Sequence, residues 1–212
     1  MKLQGKKINF LGDSITEGHG VSCHENVYHQ IIKREYGLAE ARNYGVSGTR
    51  FARQIPGSDL RCDRDFCQRA AEMDQDADVV VVFGSTNDFG HGNAPFGSFV
   101  DRDPNTFCGA CHYLFRYLIE SYPEAVIAVC TPTHRTGEND PDGKGKVLRD
   151  YVEVIRQTAE YYSLPVIDLF AASGMQPAVE ESRERYMPDG LHPNDAGHEK
   201  LAQVIGNFLL SY

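Results

Sequence analysis

Short apolar runs alternate with longer amphipathic stretches along the 212-residue chain. The clearest apolar run is 79–82, four consecutive valines, which is typical of a strand buried on both faces. Residues 104–122 instead repeat apolar side chains at helical spacing. Such alternation predicts βα units on a mostly parallel sheet. The predicted strands are 7–11, 42–46, 78–83, 125–130 and 166–169.

Amphipathic segments separate these strands, and they predict the helices. The predicted helices are 26–36, 62–73, 104–122, 147–162 and 194–210, the last with Asn194 or Asp195 as its N-cap. We therefore expect one α/β domain over residues 1–212, a three-layer α/β/α sandwich around a five-stranded sheet. The long polar stretch 133–146 predicts either a functional loop or a disordered tip. Sites in open α/β sheets form beyond the carboxyl ends of the strands, so chemistry is expected there.

Composition narrows the class of protein. The net charge of −9 and the charged fraction of 24% describe a globular protein with an acidic surface, which argues against binding to nucleic acid or anionic membranes. No apolar run approaches the roughly 18–20 residues of a membrane helix. The first residues also lack the apolar region of a signal peptide, and we expect a cytoplasmic protein.

The cysteines predict structure rather than chemistry. Six cysteines are irregularly spaced, and free thiols are expected in the cytoplasm. Cys108 and Cys111 form a CxxC pair, but a zinc site wants a second pair and none is present. We expect no metal site and no cofactor.

Residues 12–18, GDSITEG, follow the first predicted strand. A serine on a tight strand-to-helix turn exposes its hydroxyl, and its own N–H can point at an incoming carbonyl oxygen. The start of the helix adds positive potential. Ser14 is therefore a candidate nucleophile, although a Ser or Asp cap on an ordinary loop has the same local pattern.

Polar turns follow the next two strands as well. Gly48 lies in YGVSGT and Asn87 in GSTNDFG. A glycine lets its N–H approach a ligand closely, and an asparagine amide can donate to a developing oxyanion. The alternative is turn chemistry, in which Gly, Asn and Asp are common in any case.

Asp189 and His192 lie three residues apart in MPDGLHPN, just before the last predicted helix. The aspartate can fix the histidine tautomer, while the far ring nitrogen accepts the serine proton. The alternative is a surface turn with a neutral histidine. The four segments around Ser14, Gly48, Asn87 and His192 each follow a predicted strand or precede the last helix, where one shared site requires them. Their joint occurrence favours a Ser14–His192–Asp189 catalytic triad.

These segments, GDSITEG, VSGT, TNDF and DGLHPN, resemble the four blocks of the SGNH hydrolases, also called the GDSL lipase/acylhydrolase family. They occur in the family order from Gly12 to Asn194. The resemblance implies a flavodoxin-like fold, Ser14 as nucleophile, His192 as base, Asp189 as its partner, and Ser14, Gly48 and Asn87 as oxyanion donors. The third block departs from the usual Gly-x-Asn-Asp, because Ser85 stands where that glycine is expected.

The substrate is predicted more coarsely. Segments 88–99 and 133–146 should line the entrance, and the candidate substrate contacts are Asp13, Phe89, His91 and His134. Asp13 and Asp88 are also expected to fix their turns, and Asp168 to be a structural acid. The hypothesis is hydrolysis of a short acyl ester, an acetyl ester first of all, of a small or carbohydrate substrate.

Other functions fit parts of the sequence. A lysophospholipase or thioesterase-type acylhydrolase would use the same triad on longer acyl chains. A flavodoxin-like flavin- or phosphate-binding module would share the fold, but Asp13 and Glu17 would repel a phosphate and DGLHPN would have no role. A non-catalytic binding protein is the third alternative. The sequence leaves a homo-oligomer open.

Overall fold

A computed structural model describes residues 1–55 and 61–212 of the chain. In these residues five parallel strands form a single sheet in the order β2-β1-β3-β4-β5. The strands are β1 Lys7–Gly12, β2 Glu40–Gly45, β3 Val79–Phe83, β4 Val126–Cys130 and β5 Val166–Ile167. All pairings are parallel. The predicted α/β class and five-stranded parallel sheet are confirmed.

Helices cover both faces of this sheet. They are α1 Ser14–Glu17, α2 Tyr28–Tyr36, α3 Phe66–Arg69, α4 Thr86–Gly90, α5 Phe107–Ser121, α6 Leu148–Tyr161, α7 Leu169–Ala172, α8 Glu180–Tyr186 and α9 Asp195–Ser211. Single 3₁₀ turns lie at His24–Asn26 and Ala70–Glu72. Asn194 caps α9, accepting from the Gly197 N–H at 3.1 Å, as one of the two predicted caps.

At two of the predicted elements that are shorter than expected, an aspartate sets the boundary. The predicted helix 62–73 begins only at Phe66, because the Asp65 carboxylate accepts from the Gln68 N–H at 2.8 Å and caps α3 there. The predicted strand 166–169 ends at Ile167. Asp168 accepts from the Ala171 N–H at 3.2 Å and starts α7, the structural role that was expected of it. The short helices α4, α7 and α8 were not predicted.

Side-chain alternation along β3 divides the core into two layers. Val80 and Val82 pack in the cluster that contains the buried faces of α3, α5 and α6. Val79, Val81 and Phe83 pack on the opposite side, with α2 and α9. All five β3 side chains are buried, as a central parallel strand requires, and the three-layer sandwich follows.

The carboxyl ends of β1, β2 and β3 meet at one edge of the sheet, and two glycines let the backbone crowd there. A Cβ on Gly12 would lie 1.9 Å from Thr16 Oγ1, and one on Gly45 would lie 2.2 Å from the Glu17 nitrogen. Helix α1 therefore packs directly against β2. This contact brings the segment after β1 beside the segment after β2, where chemistry was expected.

Candidate active site

Ser14 is the first residue of α1, and only Asp13 separates it from the end of β1. Asp13 caps this short helix, because its Oδ1 accepts from the Ile15 N–H at 3.0 Å. Only 6% of Ser14 is exposed, yet the residue lines a cavity at the sheet edge. Its Oγ lies 3.0 Å from Nε2 of His192, although the two residues are 178 positions apart. This hydrogen bond is the contact that proton transfer from the serine requires.

His192 is held in turn by Asp189. Asp189 Oδ2 lies 2.6 Å from His192 Nδ1, while Oδ1 accepts the N–H groups of Leu191 at 2.9 Å and His192 at 2.7 Å. Partial burial acts to raise the pKa of the Asp189 carboxyl, but the hydrogen bonds from His192 and Leu191 outweigh it and lower that pKa overall. The carboxylate is thus ionised, and Nε2 is directed at Ser14.

The three predicted oxyanion donors surround the same cavity. Ser14, Gly48 and Asn87 all line it. Gly48 has φ +75°, a left-handed conformation that favours glycine, and a Cβ there would lie 2.6 Å from Cys62 Sγ. Within the described part of the chain, neither the Ser14 N–H nor the Gly48 N–H donates to a protein acceptor. Both are available to an oxygen of a bound ligand.

Ser85 has φ +80° and precedes α4. This is the left-handed region that disfavours residues with a Cβ, which explains why a glycine suits the position. Its Oγ is buried and has no partner among the described residues. Asn87, the second residue of α4, lines the cavity. The serine that stands in place of the expected glycine therefore adds backbone strain, while Asn87 still faces the site.

Charged residues that the sequence analysis did not single out hold these segments together. Buried Arg69 donates to the carbonyls of Gly12 at 2.9 Å and Tyr44 at 2.6 Å, and to Thr49 Oγ1 at 2.8 Å. Glu17 accepts hydrogen bonds from the Ser47 backbone N–H at 2.7 Å and from its hydroxyl, so α1 also anchors the loop that carries Gly48. An arginine at the end of a short helix carries no sequence signal for this role.

The cavity around Ser14 has a volume of about 290 Å³, and a second cleft of about 510 Å³ lies beside it. Gly90, His91 and Arg135 border both spaces. The cleft is lined by residues of the two predicted entrance segments: Phe89, Gly92, Asn93, Thr136, Gly137, Asp140, Asp142, Gly143 and Lys144, besides the three shared residues. Polar groups dominate this lining, which suits a substrate with hydroxyl groups.

The loop 133–146 is ordered by its own hydrogen bonds rather than being a disordered tip. The Asp142 carboxylate accepts from the N–H groups of Lys144 at 2.8 Å and Lys146 at 2.9 Å, and from the Tyr151 hydroxyl at 2.5 Å. The Thr136 N–H donates to the Gly190 carbonyl at 2.8 Å. The loop therefore also braces the turn between Asp189 and His192.

The four predicted substrate contacts occupy different places. Phe89 borders the cleft and His91 borders both spaces. Asp13 lies beneath Ser14 and is 1% exposed. His134 lines neither space; its Nδ1 lies 2.8 Å from Glu138 Oε2 and its ring packs on Phe170. Unpredicted His19 does line the cavity, with its ring centroid 4.2 Å from that of His192.

Two buried carboxyls beneath the site are protonated more readily than usual. Burial raises the pKa of Asp13 to about 6, with the Ile15 N–H and Arg69 opposing the shift. Burial likewise raises the pKa of Asp88 to about 7. Asp88 accepts from the N–H groups of Phe51 at 2.9 Å and Ala52 at 3.0 Å, the turn-fixing role that was expected.

Among the described residues, one group has ligand atoms close enough together to hold a metal ion: His19, Asp189 and His192. Two of these form the hydrogen-bonded pair beside Ser14, so the group belongs to the site already described. The thiols of Cys108 and Cys111 are buried, and burial raises both pKa values. In the part of the chain that the structure describes, no helix combines the length and hydropathy needed to span a membrane.

Comparison with known proteins gives consistent matches. A model of the GDSL-like Lipase/Acylhydrolase family matches residues 10–200. The chain is 26% identical, over 94% of its length, to an acetylxylan esterase of Xylanibacter ruminicola, and 28% identical, over 93%, to a GDSL lipase of Mycobacterium tuberculosis. It spans 42% of the first relative and 79% of the second. A solved structure from Lactobacillus plantarum is 29% identical, with a TM-score of 0.86 over 99% of this chain and 98% of that one.

Proposed function

Because the chain belongs to the GDSL-like lipase/acylhydrolase family, we propose that it is a serine esterase that removes short acyl groups, acetyl first of all, from a small or carbohydrate substrate. Family membership supports the assignment to the carboxylic ester hydrolases, the class that the sequence predicted. The observation that carries the proposal is the chain of hydrogen bonds from Ser14 through His192 to Asp189, beside a cavity that Ser14, Gly48 and Asn87 line.

The proposed reaction proceeds in two halves. His192 Nε2 takes the hydroxyl proton while Ser14 Oγ forms a bond to the ester carbonyl carbon, and the carbonyl oxygen becomes an oxyanion. Asp189 stabilises the resulting imidazolium. The C–O bond to the alcohol then breaks, and His192 returns the proton to the leaving oxygen. Water repeats the sequence on the acyl-enzyme, releasing the carboxylic acid and restoring Ser14.

The oxyanion would accept from the N–H groups of Ser14 and Gly48 and from the Asn87 amide. Each donor of this kind is worth about 10²–10³ in rate, because it meets charge that exists only in the transition state. The site needs no further group for these steps.

The acyl preference rests on the shape and polarity of the surroundings. The space at Ser14 is small, about 290 Å³, and the neighbouring cleft presents side chains such as Asn93, Thr136 and Asp140. A polar alcohol portion suits that cleft better than a lipid tail. The similarity to the acetylxylan esterase supports acetyl esters of carbohydrates in particular.

The first test is hydrolysis of p-nitrophenyl acetate by the wild-type chain and by Ser14→Ala. Removal of the nucleophile should lower kcat by roughly 10⁵-fold or more, by analogy with other serine hydrolases. Ser211→Ala is the matched control, because its hydroxyl bonds the Phe208 carbonyl outside the site. A fluorophosphonate probe should label wild type and not Ser14→Ala. Wild-type turnover by Ser14→Ala would overturn the proposal.

The acyl preference needs a separate test. A series of p-nitrophenyl esters from acetate to octanoate should show the highest kcat/KM for acetate, and acetylated sugars and acetylated xylo-oligosaccharides should then release acetate. A maximum of kcat/KM at octanoate would overturn the proposed acetyl preference and indicate a lysophospholipase- or thioesterase-type acylhydrolase instead.

A further inference from the structure

The Asn87 side chain can stabilise an oxyanion only if its NH₂ group, and not its oxygen, faces the cavity. Rotation of the amide by half a turn exchanges the two. The structure directs Nδ2 to the Thr49 carbonyl at 3.1 Å, leaving its second N–H for the cavity, while Oδ1 lies 3.1 Å from Nε2 of His91. The orientation of the Asn87 amide therefore depends on whether His91 donates to Oδ1 or accepts from the group in that position.

The His91 ring is itself oriented by a group that can only donate. Its Nδ1 lies 3.2 Å from a terminal nitrogen, Nη1, of Arg50. A guanidinium has no acceptor, so Nδ1 must offer its lone pair. In the neutral ring the proton then sits on Nε2, which donates to Asn87 Oδ1. Each donor thus faces an acceptor along the hydrogen-bonded row that runs from Arg50 through His91 and Asn87 to the Thr49 carbonyl.

The opposite amide orientation is mismatched at both ends. Asn87 Oδ1 would face the Thr49 carbonyl, two acceptors in contact. Asn87 Nδ2 would face the N–H of His91, two donors in contact. Leaving buried polar groups unpaired costs about 1–3 kcal/mol each, so the matched orientation should dominate.

Arg50 is well placed to begin this row, because it is 5% exposed and both of its terminal nitrogens have partners. Its Nη2 donates to Asp63 Oδ1 at 2.9 Å, and its Nη1 donates to the Gly48 carbonyl at 2.9 Å as well as to His91. One guanidinium therefore contacts both the Gly48 peptide and the ring behind Asn87. Burial lowers the pKa of His91, as do the positive charges of Arg50 and Arg135, which keeps the ring neutral.

We propose that His91 is a positioning residue which, oriented by Arg50, locks the Asn87 amide with its NH₂ group toward the oxyanion. This inference rests on the proposed esterase chemistry and deepens it. It also reassigns His91, a predicted substrate contact, to a role exerted through Asn87.

The kinetic test compares His91→Leu with His91→Gln. Leucine removes the donor to Asn87, so kcat for p-nitrophenyl acetate should fall about 10-fold with KM changed less than about 2-fold, because the lost contact acts in the transition state. Glutamine offers an N–H near the position of Nε2 and an oxygen for Arg50, so kcat should stay within about 3-fold of wild type. A rise in KM at constant kcat in His91→Leu, or equal damage in both variants, would overturn the proposal.

A double-mutant cycle separates positioning from general structural damage. In an Asn87→Ala background His91→Leu should cost less than about 2-fold more, because the group through which His91 acts is gone. A further 10-fold loss in that background would contradict the proposal. Thermal unfolding of each variant identifies any loss that comes from misfolding.

Ring nitrogen-15 NMR tests the same idea without catalysis. Wild-type His91 should show the neutral tautomer with its proton on Nε2, and Arg50→Met should show a mixture of tautomers. A proton on Nδ1 in the wild type would overturn the proposal. If wild type fails to hydrolyse p-nitrophenyl acetate, the proposed function fails, while the tautomer still decides the role of His91.

Discussion

The two sides of the site are held by different kinds of contact. Asp189 and His192 lie on one turn, their side chains and N–H groups bond each other across three residues, and the Asp189 side chain is 50% exposed. The oxyanion side depends on Arg69, which is 2% exposed and reaches the carbonyl of Gly12, 57 positions away. Acid–base chemistry is thus organised locally, whereas the donors for the oxyanion are organised by buried long-range contacts.

This difference predicts how activity and stability are coupled in each half. A change in the exposed turn should remove activity and leave the fold intact. A change in the buried contacts should cost stability as well, because polar groups that lose a partner there cannot turn to water.

The largest effect is expected at Asp189. Asp189→Asn keeps an oxygen for the Leu191 and His192 N–H groups but can place its NH₂ group against Nδ1, which favours the wrong tautomer of His192. The kcat for p-nitrophenyl acetate should fall by about 10⁴-fold, as for the corresponding change in a well-studied protease triad. The unfolding free energy, measured in urea, should change by less than about 1 kcal/mol, as is usual for exposed positions. A large loss of stability would contradict the conclusion that the exposed turn supports activity and not the fold.

Arg69→Met tests the buried side. The carbonyls of Gly12 and Tyr44 and the hydroxyl of Thr49 lose a charged donor, so the unfolding free energy should drop by about 3 kcal/mol, and kcat should fall with it. Arg116→Met is the control, since its ion pair with Glu120 is exposed and should contribute under about 1 kcal/mol. Equal losses in the two variants would contradict the assigned role of Arg69.

The pH dependence of stability sharpens the comparison further. The pKa of Asp13 is raised from 3.8 to about 6 by burial, so the stability that its protonated form contributes is complete below pH 3.8 and is lost as the pH rises through about 6. Asp13→Asn keeps an oxygen for the cap and does not ionise. Relative to wild type it should gain up to about 3 kcal/mol in unfolding free energy between pH 4 and 7.

The control variant for this experiment should show the opposite change of stability with pH. Hydrogen bonds from Arg42 and Lys7 lower the pKa of exposed Asp76. Asp76→Asn should therefore lose stability relative to wild type as the pH rises. Denaturant titrations at several pH values measure both trends, and parallel trends in the two variants would refute the sign assigned to Asp13.

The smallest effect is expected at Ser85, where strain and an unpartnered hydroxyl coincide. Ser85→Gly relieves both and should raise the unfolding free energy by about 1 kcal/mol, the usual size for a left-handed position. Ser85→Ala removes only the hydroxyl and should gain less. A loss of stability in the glycine variant would show that the side chain supports the loop.

The sequence predicted the site best where its contacts are local. Asp189 and His192 are three residues apart, and Ser14 follows a strand end directly, so spacing alone suggested their roles. The predicted boundaries were wrong where a single capping residue decides them, as Asp65 does for the start of α3 and Asp168 for the end of β5. Several nearby polar residues could act as the cap, and the sequence does not distinguish between them. Arg50 and Arg69 carried no signal, since an isolated arginine in a polar segment looks the same whether it is exposed or buried.

The sequence by itself determined the order of the strands along the chain, the longer helices between them, the parallel sheet and the residues of the candidate triad, because hydropathy periods and short motifs act over a few positions. Only the tertiary structure decided that Ser14 Oγ meets His192 across 178 positions, that His134 faces away from the cavity, and that His91 stands behind Asn87. Those contacts depend on how the segments after β1, β3 and β4 and the turn before α9 are brought together, and that arrangement is a property of the packed sheet and helices rather than of any segment alone.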